Sequence, residues 1–173
     1  LVQEVFLENE KQHIEKIAYY RVPVRLGDDV FDHGKLGEGR TEQLMNVMQA
    51  FQYLMEVYKL KDFRACATSA LREASNSREV IQAVYQKSGI EIEVISGETE
   101  ADLIFNNFLV QDIDHSGSYL YIDVGGGSTE LTLIKQGERI KSISLQIGTV
   151  RALKGKVSKK QWVEARQWIR EFL

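Results

Sequence analysis

The segment Asp123-Val-Gly-Gly-Gly-Ser-Thr-Glu130 gathers the residue types that phosphate chemistry needs into one short stretch. Three consecutive glycines, Gly125, Gly126 and Gly127, followed by Ser128 in a tight turn, leave backbone N–H groups free to converge on phosphate oxygens with no side chain blocking the approach. Asp123 ahead of the turn and Glu130 behind it offer two carboxylates. Such a pair suits a hydrated divalent cation, because magnesium takes a few carboxylate oxygens and keeps several waters. A glycine hairpin turn flanked by two surface acids is the bland reading of the same residues. Chemistry is favoured by the strand feeding the turn: Tyr119 to Val124 is apolar almost throughout, as a strand covered on both faces should be.

Two more groups carry candidates. Glu100 lies in the first turn of a helix opened by Ser96 and Gly97, where the helix dipole favours an ionised carboxylate that can accept a proton from water. Glu98 fits that argument equally well, and acids at helix starts are most often capping chemistry. Thr68-Ser-Ala-Leu-Arg-Glu-Ala74 places Arg72 directly after a short strand, where α/β sheets gather ligand contacts, and a guanidinium suits a phosphate fork. The competing reading pairs Arg72 with Glu73 or another acid at the surface. There is no Gly-x-Ser-x-Gly elbow, Walker loop, Rossmann fingerprint or zinc spacing, and no interleaving of basic and aromatic residues for nucleic acid.

These residues need elements to hold them. Alternation through Val2 to Leu7, a polar turn near Asn9 to Gln12 and a second apolar stretch, Ile14 to Val24, predict two antiparallel strands. A glycine-punctuated loop is expected from Gly27 to Gly39. Leu44, Val47, Met48, Phe51, Leu54, Met55 and Tyr58 then recur at helical spacing behind the cap candidate Thr41. A strand, Phe63 to Ala67, a Ser/Asn-rich turn, a helix from Ser77 to Lys87 and a strand, Ile90 to Ile95, lead to the helix bearing Glu100. After the glycine turn, Glu130 to Ile134 and Ile140 to Ile147 are expected to pair across Gln136 and Gly137. Ser158 and Gln161 form a capping box for a last helix carrying Trp162, Ala165, Ile169 and Phe172. The class is α/β with a mixed sheet.

The order strand, tight turn, strand, helix occurs twice, with Val22-Pro-Val-Arg-Leu-Gly27 echoed by Gly148-Thr-Val-Arg-Ala-Leu153. In the second copy a buried strand and a glycine loop precede the unit, whereas the first copy begins at Leu1. A strand and phosphate loop upstream of Leu1 are therefore expected, and the second copy is read as cut short.

At 43 % hydrophobic and 27 % charged, the 173 residues have the balance of a folded domain rather than a disordered one. No apolar run approaches the roughly 20 residues of a membrane helix, and Leu1 to Glu10 lacks the order of a signal peptide, so a cytoplasmic address is the default expectation. Cys66 alone cannot form an internal disulfide. His13, His33 and His115 share no metal-ligand spacing and are read as structural. The net charge of −3 is uneven, because residues 135 to 173 carry 10 Lys+Arg against 3 Asp+Glu. Arg151, Lys154, Lys156, Lys159 and Lys160 form a basic segment whose ordinary reading is a solvated helix start.

Thr68-Ser-Ala-Leu-Arg-Glu-Ala74, Ile95-Ser-Gly-Glu-Thr-Glu-Ala101 and Ile122-Asp-Val-Gly-Gly-Gly-Ser-Thr-Glu130, in this order and at these spacings, resemble the motifs of the exopolyphosphatase / guanosine pentaphosphate phosphatase (Ppx/GppA) family. The resemblance covers essentially the whole chain and implies the duplicated ribonuclease-H-like fold shared with actin, sugar kinases and heat-shock chaperone ATPases. The first such domain would occupy residues 1–116, without its first strand and loop, and the second would begin at 117–173.

By the same resemblance Glu100 matches a catalytic base, Asp123 and Glu130 match acids that position magnesium and the attacking water, and Arg72 with Gly125 to Ser128 matches phosphate contacts. Thr99 stands where many members have another Glu. The implied reaction is hydrolysis of a terminal phosphoryl group of inorganic polyphosphate or of the 5′ end of guanosine pentaphosphate, with Mg2+ as cofactor. The partners expected are that substrate and a second copy of the chain as a homodimer, with neither nucleic acid nor membrane. An ATP-dependent kinase of the same superfamily and a non-catalytic phosphate-binding module are the competing functions.

Overall fold

A computed structural model describes residues 2–6, 12–109, 114 and 116–172. Strands β1 (Val2–Phe6) and β2 (Gln12–Lys16) pair antiparallel. The second strand is shorter than its apolar content suggests, since residues 17–25 run on without a strand partner. The turn expected from Asn9 lies outside the described residues but for Gln12, as does His115.

Helix α1 (Leu26–His33) occupies much of the stretch expected to be a loop. It buries Val30, and Gly34 ends it in the left-handed conformation at φ 71°, where glycine carries no Cβ penalty. Arg40 ties its start to the following helix, donating to the Val24 carbonyl at 2.6 Å and pairing with Asp28 and Asp29 at 3.5 Å. Helix α2 (Glu38–Val57) is capped by Gly37 rather than Thr41, whose hydroxyl instead donates back to the Gly37 carbonyl. Its apolar stripe is buried at Leu44 and half-exposed at Phe51, Leu54 and Met55.

Strands β3 (Ala65–Ala67) and β4 (Ile92–Val94) pair parallel, connected through α3 (Ser69–Glu73) and α4 (Ser77–Ser88). Val24, Val30, Leu36, Leu44, Leu71, Val80, Val84 and Ile92 form the first core. Among the described residues β3 has no strand on its other edge. Helix α5 (Gly97–Leu109) follows, capped by Ser96, whose Oγ accepts from Thr99 N at 3.0 Å.

Strands β5 (Ser118–Val124), β6 (Thr129–Lys135) and β7 (Glu138–Leu145) form an antiparallel sheet. Gln136 and Gly137 close the β6–β7 hairpin with φ of 53° and 76°, as a two-residue primed turn requires. Helix α6 (Thr149–Leu153), not anticipated, leads to α7 (Lys159–Phe172). The capping box is present: Ser158 N donates to Gln161 Oε1 at 2.7 Å and Gln161 N to Ser158 Oγ at 3.3 Å. Leu131, Leu145, Ala165 and Trp168 make the second core. Strand pairings of both senses therefore occur in an α/β fold, distributed among the described residues over three sheets.

Two expectations need correction. Helix α7 turns Ala165 and Trp168 inward, while Trp162 and Ile169 are 46 % and 42 % exposed, so the core face is rotated from the one read. Strand β5 is not covered on both faces: at this edge strand Leu120 packs against the second core, while Ile122 and Val124 are each 54 % exposed.

Candidate active site

The β5–β6 register sets the site. Asp123 pairs with Glu130, and Glu130 with Ser144 of β7, so the three side chains form one row on one sheet face. The start of α5 packs against this row, and a Cβ on Gly97 would lie 2.7 Å from Ser144 Cβ. Close approach, not backbone conformation, requires glycine there. Glu130 is 2 % exposed and accepts from Ser144 Oγ at 2.7 Å. No ion pair reaches it among the described residues.

That packing brings Glu100, in the first turn of α5, to the same face. Its Oε2 stands 3.4 Å from Arg72 Nη1, and Arg72 also donates to the Ile95 carbonyl at 2.6 Å. Burial and the neighbouring Glu130 carboxylate push the Glu100 carboxyl above the ordinary carboxylate range, while Arg72 and a hydrogen bond to Thr68 pull the other way. Glu98 is exposed on the opposite side of the turn. Arg72 is thus paired with Glu100 rather than with Glu73, which serves a different arginine.

The turn Gly125 to Ser128 is held from behind. Gly125 N donates to the Ser128 carbonyl at 2.9 Å, and the carbonyls of Gly125 and Gly126 accept from the N–H groups of Thr149 and Val150, both at 3.0 Å. Among the described residues no hydrogen bond occupies the N–H of Gly126, Gly127 or Ser128. None of the three glycines has a positive φ; Gly127 is required for space, since a Cβ there would meet Phe31 Cζ and Ser69 Oγ at 2.4 Å. Ser128 is 4 % exposed, so the residue as a whole is packed into the base of the loop.

A cavity of about 390 Å³ lies between this loop and the first half of the molecule, lined by Arg25, Phe31, Thr68, Ser69, Gly126 and Gly127 among others. Arg72, Glu100, Asp123 and Glu130 cluster beside it without lining it. Asp123 is exposed.

The residues fit a hydrated cation and not a fully protein-coordinated one. Among the described residues no group of three or more His, Cys, Asp or Glu converges as metal ligands, whereas Asp123 and Glu130 stand opposite each other and Glu130 has no basic partner. Two carboxylates and retained waters match the habit of magnesium.

Sequence reasoning missed the support of the loop. Gly148 abuts it so closely that a Cβ would fall 2.4 Å from Gly126 C and O. Arg151, read as part of a solvated helix start, is 8 % exposed, and Lys154 donates to the Asp28 carbonyl at 2.9 Å and pairs with Asp32. The echo between Val22-Pro-Val-Arg-Leu-Gly27 and Gly148 to Leu153 was the available signal: both segments start short helices beside the cavity.

The chain is similar in sequence and fold to known proteins. The chain is 32 % identical, over its whole length, to a bifunctional 3-dehydroquinate synthase/phosphatase of Fusobacterium nucleatum subsp. nucleatum, of which it covers 28 %. It superposes on an exopolyphosphatase from Cytophaga hutchinsonii with a TM-score of 0.79 and 22 % identity, covering 98 % of this chain and 55 % of that one. For the Ppx/GppA family member of Aquifex aeolicus the TM-score is 0.70 at 26 % identity, over 95 % and 55 % of the two chains. The chain thus spans just over a quarter of the curated relative and about half of these solved structures. The model of the Ppx/GppA phosphatase family matches residues 5–173, and with three motifs meeting at one sheet face, the chain belongs to that family.

Proposed function

We propose that the whole protein is a phosphohydrolase that releases the terminal phosphoryl group of inorganic polyphosphate, or the 5′-terminal phosphate of guanosine pentaphosphate, by attack of water. The observation that carries this reading is the juxtaposition of Glu100, Glu130 and Arg72 beside a glycine loop whose three successive N–H groups have no partner among the described residues. Phosphoryl transfer needs positioning and charge stabilisation more than covalent participation, and these parts supply both.

In this reading the N–H groups of Gly126, Gly127 and Ser128 and the Arg72 guanidinium hold the terminal phosphate oxygens. Glu100 orients water and takes its proton as the new P–O bond forms and the bond to the rest of the chain breaks. A carboxyl held above its ordinary range is a stronger base once ionised, which suits that task. Asp123 and Glu130 would hold magnesium, which supplies charge neutralisation at the transferring group. In this reading residues 1–116 and 117–173 are two units.

Measuring orthophosphate release by the whole protein from polyphosphate and from guanosine pentaphosphate with magnesium and no acceptor, and phosphate transfer from ATP in a parallel assay with an acceptor, tests this. Release from either substrate is expected. No release from either, with phosphate instead transferred from ATP to an acceptor, identifies a kinase and contradicts the reading.

A further inference from the structure

Arg151 is a nearly buried guanidinium with three simultaneous partners. Its Nε donates to the Gly127 carbonyl at 2.8 Å, its Nη2 pairs with Glu73 at 2.5 Å, and its guanidinium carbon stands 4.1 Å from the centroid of the Phe31 ring. Phe31 and Glu73 belong to α1 and α3, which pack together, so the side chain reaches from α6 to the first half of the molecule. Its backbone N–H also donates to the Gly126 carbonyl at 3.2 Å.

With Thr149 and Val150, this residue takes up the carbonyls of Gly125, Gly126 and Gly127 in succession. Peptide planes are rigid, so fixing a carbonyl fixes the direction of the N–H that follows it. The carbonyl of Gly126 governs the N–H of Gly127, and that of Gly127 the N–H of Ser128. The last plane is held by the Arg151 side chain alone, because the Gly127 carbonyl has no other partner among the described residues.

We propose that Arg151 is a positioning residue: by holding the Gly127 carbonyl it aims the Ser128 N–H at a phosphate oxygen and couples the loop to α1 and α3. This rests on the reading that the loop binds a phosphoryl group. Arg151 touches no substrate in this account. The Glu73 ion pair and the Phe31 ring hold the guanidinium in place, and of the side chain's contacts it is the Nε one that sets the loop. Arg151→Lys keeps the charge for Glu73 but cannot reproduce the planar fork at Gly127. Glu73→Gln keeps a hydrogen-bond acceptor for the guanidinium and leaves the Gly127 contact intact.

The test compares these variants in the whole protein by calorimetric titration with tripolyphosphate and by hydrogen exchange of the 125–128 amides, with melting temperature as a check on folding. Arg151→Lys is expected to weaken tripolyphosphate binding about tenfold or more, the size of one hydrogen bond involving a charged group, and to speed exchange at Ser128. Glu73→Gln stays within about twofold of wild type in binding despite the lost ion pair. Phe31→Leu, which removes the ring platform but not the arginine, gives an intermediate loss of about threefold and decides the case if Arg151→Lys does not fold. Equal binding by Arg151→Lys and wild type, or an equal loss in Glu73→Gln, overturns the proposal. Absence of tripolyphosphate binding in the wild type contradicts the functional reading instead. Exchange at Ser128 then decides the positioning role, which fails if Arg151→Lys and Glu73→Gln exchange alike.

Discussion

Gly148→Ala is the sharpest perturbation of the loop that leaves its own residues unchanged. A Cβ at position 148 falls 2.4 Å from Gly126 C and O and 2.5 Å from Gly127 N, against the 3.4–4 Å of ordinary contact, so the backbones must separate by about 1 Å. No flexible side chain can yield, because all three atoms are backbone. Overpacking of this kind costs about 1–3 kcal/mol, which for a chain of this length lowers the melting temperature by about 5 °C. The displaced atoms belong to the candidate phosphate loop, and a misplacement of about 1 Å reduces turnover by about 10²-fold. Gly39→Ala is the control: nothing lies within 4 Å of its Cβ, its φ is not positive, and helix α2 gains from the substitution. Differential scanning calorimetry of the 173-residue chain and orthophosphate release from polyphosphate by the whole protein measure the two effects. If Gly148→Ala melts and turns over like Gly39→Ala, the close packing of α6 on the loop is irrelevant to both stability and catalysis, and the reasoning is refuted.

Glu100 must be ionised to act as a base, so kcat/KM should fall as pH drops through its raised pKa, giving an acid limb above the ordinary carboxylate range; a limb at or below that range contradicts the assignment. The same shift has a stability consequence: a carboxyl whose folded pKa lies above its unfolded value destabilises the fold when ionised at neutral pH. The cost develops as pH rises from the unfolded to the folded pKa, so Glu100→Gln melts no lower than wild type at neutral pH. Asp123→Asn should reduce turnover and weaken magnesium dependence together, and full activity in excess chelator would remove the metal from the account. The 173-residue chain alone should release no phosphate above background, because it spans about half of the solved relatives and, among the described residues, the cavity beside Gly126 and Gly127 is bounded by a single glycine loop; robust release by this chain would show that one loop suffices.

The parts of the site that are readable in the sequence are local ones. Ser96 caps α5 and so puts Glu100 in its first turn, and the spacing of Asp123 and Glu130 around a four-residue turn makes them register partners in a hairpin. What separates Glu100 from Glu98 is not local, since it depends on which side of α5 meets Ser144, a contact of tertiary packing. Helix α1 is obscured because Pro23 and Gly34 bracket it and Gly27 lies within it, and its stability comes from Arg40 and the burial of Val30 rather than from propensity. Helix α6 is too short for any period to show, and the burial of Arg151 depends on Glu73, which lies 78 residues earlier in the chain. The exposure of Ile122 and Val124 follows from the edge position of β5, which an apolar run cannot reveal. The three-motif pattern reaches the family because it samples three separate elements, α3, α5 and the β5–β6 turn, that converge on one sheet face.

The central claim is that Glu100 activates water at this face, and the direct measurement is kcat for orthophosphate release from polyphosphate by the whole protein carrying Glu100→Gln, with Glu98→Gln beside it. Glu100 adjoins Arg72 and Glu130, whereas Glu98 is exposed. Loss of a general base predicts a fall of about 10²-fold or more for Glu100→Gln with its melting temperature maintained, and activity within a few-fold of wild type for Glu98→Gln. Retention of turnover by Glu100→Gln, or its loss in Glu98→Gln instead, would contradict the account.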